Sequence, residues 1–267
     1  MQKINIEGNN FQFHVIGQGK PLVFISGLGT DRTIWNNIVA ELKSDFQIIY
    51  FDNKGVGENN AFTAPVTTLE MAADVAAIIR HLNLKDVCVI GHSLGSYVAQ
   101  HIATSYPDLV EKLVLVSTRI KTSINTILHY NVVLNLSRAG VSREILIEDS
   151  LSWLYRSSYL QDTANTEKLI KARSAMPALS SFETFSNQVQ CAIQHNAASI
   201  MQKITAQTLI VNGEEDIICT PKEANLLNEG ITRSKLMILK DLGHMIPIEN
   251  PIYLSEIIKD FCLLEGG

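Results

Sequence analysis

Apolar residues along this chain follow two rhythms. Six short runs are apolar almost without a break: 21–26 (PLVFIS), 46–51 (FQIIYF), 86–91 (DVCVIG), 112–117 (KLVLVS), 208–213 (TLIVNG) and 235–240 (KLMILK). Strands covered on both faces read this way, which predicts a parallel sheet sandwiched by helices. Residues 11–16 (FQFHVI), after the polar EGNN, read as the second strand of a hairpin. Between the runs the period lengthens. Residues 67–82 place Leu69, Ala72, Ala73, Ala76 and Ile79 about one helical turn apart, and 94–106 and 248–264 are patterned similarly. Strand–helix alternation of this kind predicts an α/β fold with a mostly parallel, doubly wound sheet.

One stretch breaks the alternation. Residues 119–203 contain no strand pattern and several helix-like pieces, among them INTILHYNVVLNL and REILIEDSLSWLYRSSYL. Both flanks belong to one sheet. The expected organisation is a core of residues 1–118 and 204–267 with a helical cap at 119–203.

Composition narrows the class without naming it. The chain has 267 residues, 46% apolar and 18% charged, enough for one large soluble globule. A formal charge of −5 argues against a nucleic-acid partner. The polar start MQKINIEGNNFQF lacks a signal-peptide pattern, and no apolar run approaches the ~20 residues of a membrane span. The scattered Cys88, Cys191, Cys219 and Cys262 form no C-x-x-C pair and read as reduced thiols, so the expected location is cytoplasmic. No glycine-rich dinucleotide fingerprint, phosphate loop or H-E-x-x-H helix is present, so neither a cofactor nor a metal is expected.

Chemistry enters at VIGHSLGSYVAQ, residues 89–100. Gly91 and Gly95 bracket Ser93 after a predicted buried strand and before a predicted helix. This is the context of a nucleophile elbow, G-x-S-x-G on a sharp strand-to-helix turn. A serine hydroxyl also needs a base and an orienting acid. In open α/β sheets these belong at the carboxyl ends of later strands. One such end offers Glu214, Glu215 and Asp216; the next offers His244 behind Gly243, 28 residues after Asp216. His92 is expected to leave the turn in another direction than Ser93. His129 and His195 fall in the insertion, where packing is the plainer role. Oxyanion donors are expected from the backbone N–H of Leu94 and, in the loop SGLGTDRTIW, of Leu28.

With SGLGTDRTIW (26–35), FDNKGVGENN (51–60), GHSLG (91–95), VNGEEDIICTP (211–221) and GHMIPIENP (243–251) in this order, the chain resembles the α/β-hydrolase superfamily over nearly its whole length. The resemblance implies Asp216 as the acid, giving Ser93, Asp216 and His244 as the catalytic set. It implies a carboxylic ester or thioester hydrolase, with pimeloyl carrier-protein methyl ester esterase and enol-lactone hydrolase as alternatives within the family. A ligand-binding receptor on the same fold is the alternative from another class. The chain departs from the family in carrying Ser26-Gly27 where His-Gly is frequent, and Asp52-Asn53-Lys54 where Asp-x-Arg is frequent. The expected partner is a small-molecule ester. The cap carries nine Lys and Arg against six acids, formally +3; solvated helix faces are the plainer reading of so small a bias, and an acyl carrier protein drawn to the pocket mouth is the alternative partner. Trp153, Tyr155, Phe182 and Phe185 are candidate acyl-pocket residues.

Overall fold

The computed structural model describes residues 1–59, 65–175, 178 and 180–264; Asn60, the last residue of the FDNKGVGENN motif, lies outside them. Eight strands form one sheet: β1 (Gln2–Ile6), β2 (Asn9–Ile16), β3 (Lys20–Ile25), β4 (Phe46–Tyr50), β5 (Val87–His92), β6 (Val110–Val116), β7 (Gln207–Gly213) and β8 (Ser234–Leu239). Their order is β1-β2-β4-β3-β5-β6-β7-β8. The β1–β2 hairpin and the β2–β4 pair are antiparallel, and every other pair is parallel. The expected α/β doubly wound sheet is therefore present.

The continuous apolar runs have the predicted cause. Along β5, Val87 and Val89 enter one buried cluster while Cys88 and Ile90 enter the other. The first cluster packs α2 (Thr68–His81) and α3 (Leu94–Ser105) on one face of the sheet. The second packs α1 (Asn36–Leu42) and, near the C-terminus, the helix Pro251–Leu263 on the other. β8 departs from expectation: it is one of the two edges of the sheet and is only partly buried. The buried face of α2 is also rotated from the predicted one. Leu69 and Ala73 are exposed, while Met71, Val75 and Ile78 are buried with Ala72, Ala76 and Ile79.

Between β6 and β7 lie α4 (Ile124–Arg138), α5 (Arg143–Leu154), α6 (Ser157–Gln161), α7 (Thr163–Ala175) and α8 (Phe182–Gln194). Among the described residues this insertion holds no strand, only an isolated bridge between Lys121 and Asn196. The piece 143–160 is two helices, broken at Tyr155 and Arg156, whose backbone is extended. After β7 come α9 (Pro221–Gly230), α10 (Ile246–Glu249) and α11 (Pro251–Leu263). The single helix expected over 248–264 is thus divided. Pro251 has no N–H to continue a helix, and it starts a new one with the Asn250 side chain accepting from the Tyr253 N–H. No helix among the described residues is long and apolar enough to cross a membrane.

Candidate active site

Ser93 sits between β5 and α3 with φ +52° and ψ −121°. A side chain at positive φ is strained, by roughly 1–3 kcal/mol, unless the surroundings hold it there. Here they do. The Ser93 N–H donates to the Val116 carbonyl at 3.0 Å, and its own carbonyl accepts from the Ser96 N–H at 2.8 Å and the Ser96 hydroxyl at 2.6 Å. The glycines make room for this. A Cβ on Gly91 would stand 2.3 Å from the Gly95 carbonyl oxygen, and one on Gly95 would stand 2.2 Å from the Ile25 carbonyl oxygen. Strand, turn and neighbouring strand approach so closely that no side chain fits at either position.

Asp216 and His244 follow the ends of β7 and β8 and are 2% and 3% exposed. His244 Nδ1 lies 2.8 Å from Asp216 Oδ2, and the other carboxylate oxygen accepts from the N–H groups of Ile218 at 2.9 Å and Cys219 at 2.8 Å. Glu214 and Glu215 are exposed. An ionised carboxylate is acceptor-only, so in the neutral ring His244 Nδ1 carries the proton and Nε2 is left to accept one. Burial disfavours the imidazolium, but the charge of Asp216 and its hydrogen bond outweigh it, with a smaller contribution from the nearby Cys219, so the pKa of His244 is raised above the usual 6.5.

The backbone of His244 is held from two sides. Its carbonyl accepts from the Ser117 hydroxyl at 2.9 Å and from His92 Nε2 at 3.0 Å. The latter bond fixes the His92 tautomer, because a carbonyl can only accept. Burial, then the neighbouring His244, lowers the His92 pKa to about 3, so it stays neutral. From the other side, the N–H groups of His244 and Met245 both donate to the carbonyl of Leu154, the last residue of α5, at 3.1 Å. Arg156 reinforces this junction, with Nε 3.3 Å from Glu249 Oε2 and a bond to the Asp241 carbonyl. Sequence reasoning missed the role of His92. The side chain does leave the turn away from Ser93, but toward the carbonyl of the histidine 152 positions later.

Ser93 and His244 open on one cavity of about 460 Å³, a volume suited to a small molecule. Its floor includes Gly27, Leu28 and Gly29; its far wall comes from the insertion, with Trp153, Phe182, Phe185 and His129. Tyr155 does not line it and packs instead in the core with Tyr159 stacked on it. His129 stacks on Trp153 at 4.0 Å, while His195 is buried against Tyr97 away from the cavity. Leu94 is the first residue of α3, so its N–H has no partner within that helix, and Leu28 lies in the cavity lining beside Ser93. Asp216, Cys219 and His244 have metal-type donor atoms within 4.8 Å of one another. Both Asp216 oxygens are already engaged by N–H donors, so the group is built as a hydrogen-bonded set rather than as a vacant ligand cage.

The model of the alpha/beta hydrolase fold family matches residues 20–251. The chain belongs to that family. The expectation of an enzyme of this family stands with it. A protein of Mycobacterium tuberculosis whose name includes the words non-heme bromoperoxidase BpoC is 26% identical in its crystal structure, with a TM-score of 0.86 over 95% of each chain. A thermophilic esterase from Thermogutta terrifontis is 24% identical, with a TM-score of 0.84 over 98% of each chain. The 3-oxoadipate enol-lactonase 2 of Acinetobacter baylyi is 22% identical over 89% of this chain and 86% of its own.

Proposed function

We propose that this protein is a serine hydrolase cleaving a carboxylic ester or thioester, with Ser93 as nucleophile, His244 as base and acid, and Asp216 as the orienting carboxylate. The observation that carries the reading is the buried Asp216–His244 pair, at 2.8 Å, placed on the same cavity as a serine held at φ +52°. In this mechanism Ser93 Oγ attacks the ester carbonyl carbon while His244 Nε2 takes its proton. Asp216 keeps Nδ1 protonated and stabilises the imidazolium. The N–H groups of Leu28 and Leu94 hold the developing oxyanion. His244 then protonates the leaving alcohol or thiol, and the acyl-enzyme forms. Water, deprotonated by His244, attacks the acyl carbon, and His244 returns the proton to Ser93 Oγ as the acid leaves. The insertion serves as a cap that closes the acyl side of the cavity, and the protein works in the cytoplasm.

A fluorophosphonate probe and a panel of esters varied in acyl group and alcohol test this. Ser93→Ala is expected to abolish labelling and nearly all turnover. Ester hydrolysis undiminished in Ser93→Ala overturns the mechanism, and a wild-type protein that binds esters without cleaving them supports a receptor instead.

A further inference from the structure

The buried and part-buried arginines of this fold are not treated alike. Arg32 pairs with Asp52 at 3.2 Å and Glu58 at 2.9 Å, Arg119 lies 3.8 Å from Glu223, and Arg156 lies 3.3 Å from Glu249. Arg173, near the C-terminal end of α7, is half-buried on the cavity wall and meets a hydroxyl instead, with Nη1 3.4 Å from Ser150 Oγ of α5. Among the described residues it has no carboxylate partner. Arg143, at the start of α5, lines the same wall. Among the described lining residues there is no Asp or Glu; the nearest acid to this wall's histidine, Asp149, stands behind His129 at 3.7 Å and does not itself line the cavity. A guanidinium is always charged, and taking it partly out of water is costly unless an anion meets it. None of the described carboxylates meets Arg173, and a bound ligand can. The lining of the same cavity includes Val133, Leu146, Ile147 and Leu154, an apolar surface suited to a chain of methylenes.

We infer that the substrate is an ester carrying a second, anionic group, a carboxylate on the acyl side, and that Arg173 is its binding site. This rests on the hydrolase reading of Ser93 and adds the substrate class. A carboxylate meets the guanidinium fork through two parallel N–H···O bonds, and that geometry discriminates against a neutral end of equal length. Arg173 determines specificity and takes no part in bond breaking.

The test compares kcat/KM for monomethyl glutarate, monomethyl adipate and monomethyl suberate with methyl pentanoate, methyl hexanoate and methyl octanoate, by titration of released acid. For at least one pair the charged ester should lead by about ten- to a hundred-fold, the range of a charged hydrogen-bond pair. Arg173→Gln should collapse that ratio and Arg173→Lys should restore part of it. The readout is the ratio, so a general loss of activity does not imitate the effect. A second arm uses calorimetry on Ser93→Ala, with monomethyl adipate against methyl hexanoate, and depends on no turnover. Tighter binding of the charged ester there, lost in the Ser93→Ala/Arg173→Gln double variant, supports the inference even if another residue proves to be the nucleophile. Equal or better use of the neutral esters together with no preferential binding of the charged one overturns it, as does a ratio unchanged by Arg173→Gln. If Ser93→Ala retains full hydrolysis while the binding preference holds, the hydrolase mechanism falls and the anion site stands.

Discussion

Replacing Asp216 by Asn changes one oxygen to an NH₂, and the surroundings decide which way the amide must point. Oδ1 accepts two backbone N–H groups, from Ile218 and Cys219. An NH₂ placed there would leave both donors facing a donor, so the amide oxygen keeps that position. The NH₂ then faces His244 Nδ1, which must become an acceptor and lose its proton. The remaining proton sits on Nε2, and the base can no longer take one from Ser93. Loss of the correct tautomer in a Ser-His-Asp enzyme costs about 10⁴-fold in kcat, or about 5.5 kcal/mol at about 1.4 kcal/mol per decade. Folding should suffer far less. All three hydrogen-bond contacts can persist with charge-assisted bonds turned neutral, a loss on the order of 1–2 kcal/mol. The assay is ester turnover and fluorophosphonate labelling rate, with urea denaturation on the same samples. The expected result is a near-inactive, folded protein. A fall of less than tenfold, in a variant whose stability is close to wild type, would refute the assignment of Asp216.

Three further outcomes follow from the same geometry. The kcat/KM profile should fall with acid as His244 protonates, with its midpoint above 6.5 because the neighbouring carboxylate favours the imidazolium, and Asp216→Asn should move any residual limb to lower pH; a wild-type midpoint below 6.5 contradicts the raised pKa. Gly95→Ala puts a Cβ 2.2 Å from the Ile25 carbonyl oxygen, so the elbow must move by nearly an ångström, and kcat/KM should drop by about 10² with about 3 kcal/mol of stability lost. Gly140→Ala, at φ +75° with nothing within 4 Å, should cost about 1 kcal/mol and leave kcat/KM alone; equal kinetic damage from the two would mean that crowding at the elbow is not what matters. His92→Phe removes one of two donors to the His244 carbonyl and should cost about 1 kcal/mol of stability with a measurable fall in kcat, whereas an unchanged kcat would show that Ser117 alone suffices.

What the sequence disclosed and what it hid divide along physical lines. The central strands were legible because a parallel strand clothed on both faces is apolar at every position, and Val87–Ile90 illustrates it. β8 carries a similar run but has a neighbour on one side only, and an edge is a property of strand order rather than of composition. The pattern does not fix the buried face of α2, because Leu69 and Ala73 fit the period as well as Met71 and Val75 do, and only the packing partner chooses between them. The Ser93 elbow was legible because its constraint is local, two glycines within four residues of each other. Asp216 needed the family resemblance to be preferred over Glu214 and Glu215; in the folded chain the two glutamates are exposed and Asp216 is turned inward by the N–H groups that follow it. The role of His92, and the lining of the cavity by Trp153, Phe182 and Phe185 but not Tyr155, depend on contacts across long stretches of chain that no local pattern encodes.

The segment bearing His244 hangs between two supports: Ser117 and His92 grip its carbonyl from the sheet, and Leu154 receives its N–H from the end of α5. Gly243 packs so near that a Cβ there would stand 2.7 Å from the Arg156 backbone nitrogen. The insertion is therefore not an interchangeable lid for the enzyme engineer. A chimaera that exchanged residues 119–203 for the corresponding piece of a relative would alter substrate choice and, in the same cut, remove the carbonyl that supports the proposed base. Grafts that retain the native Leu154–Arg156 corner, and vary only α4, α7 and α8, are the ones in which new selectivity and intact chemistry can be sought together.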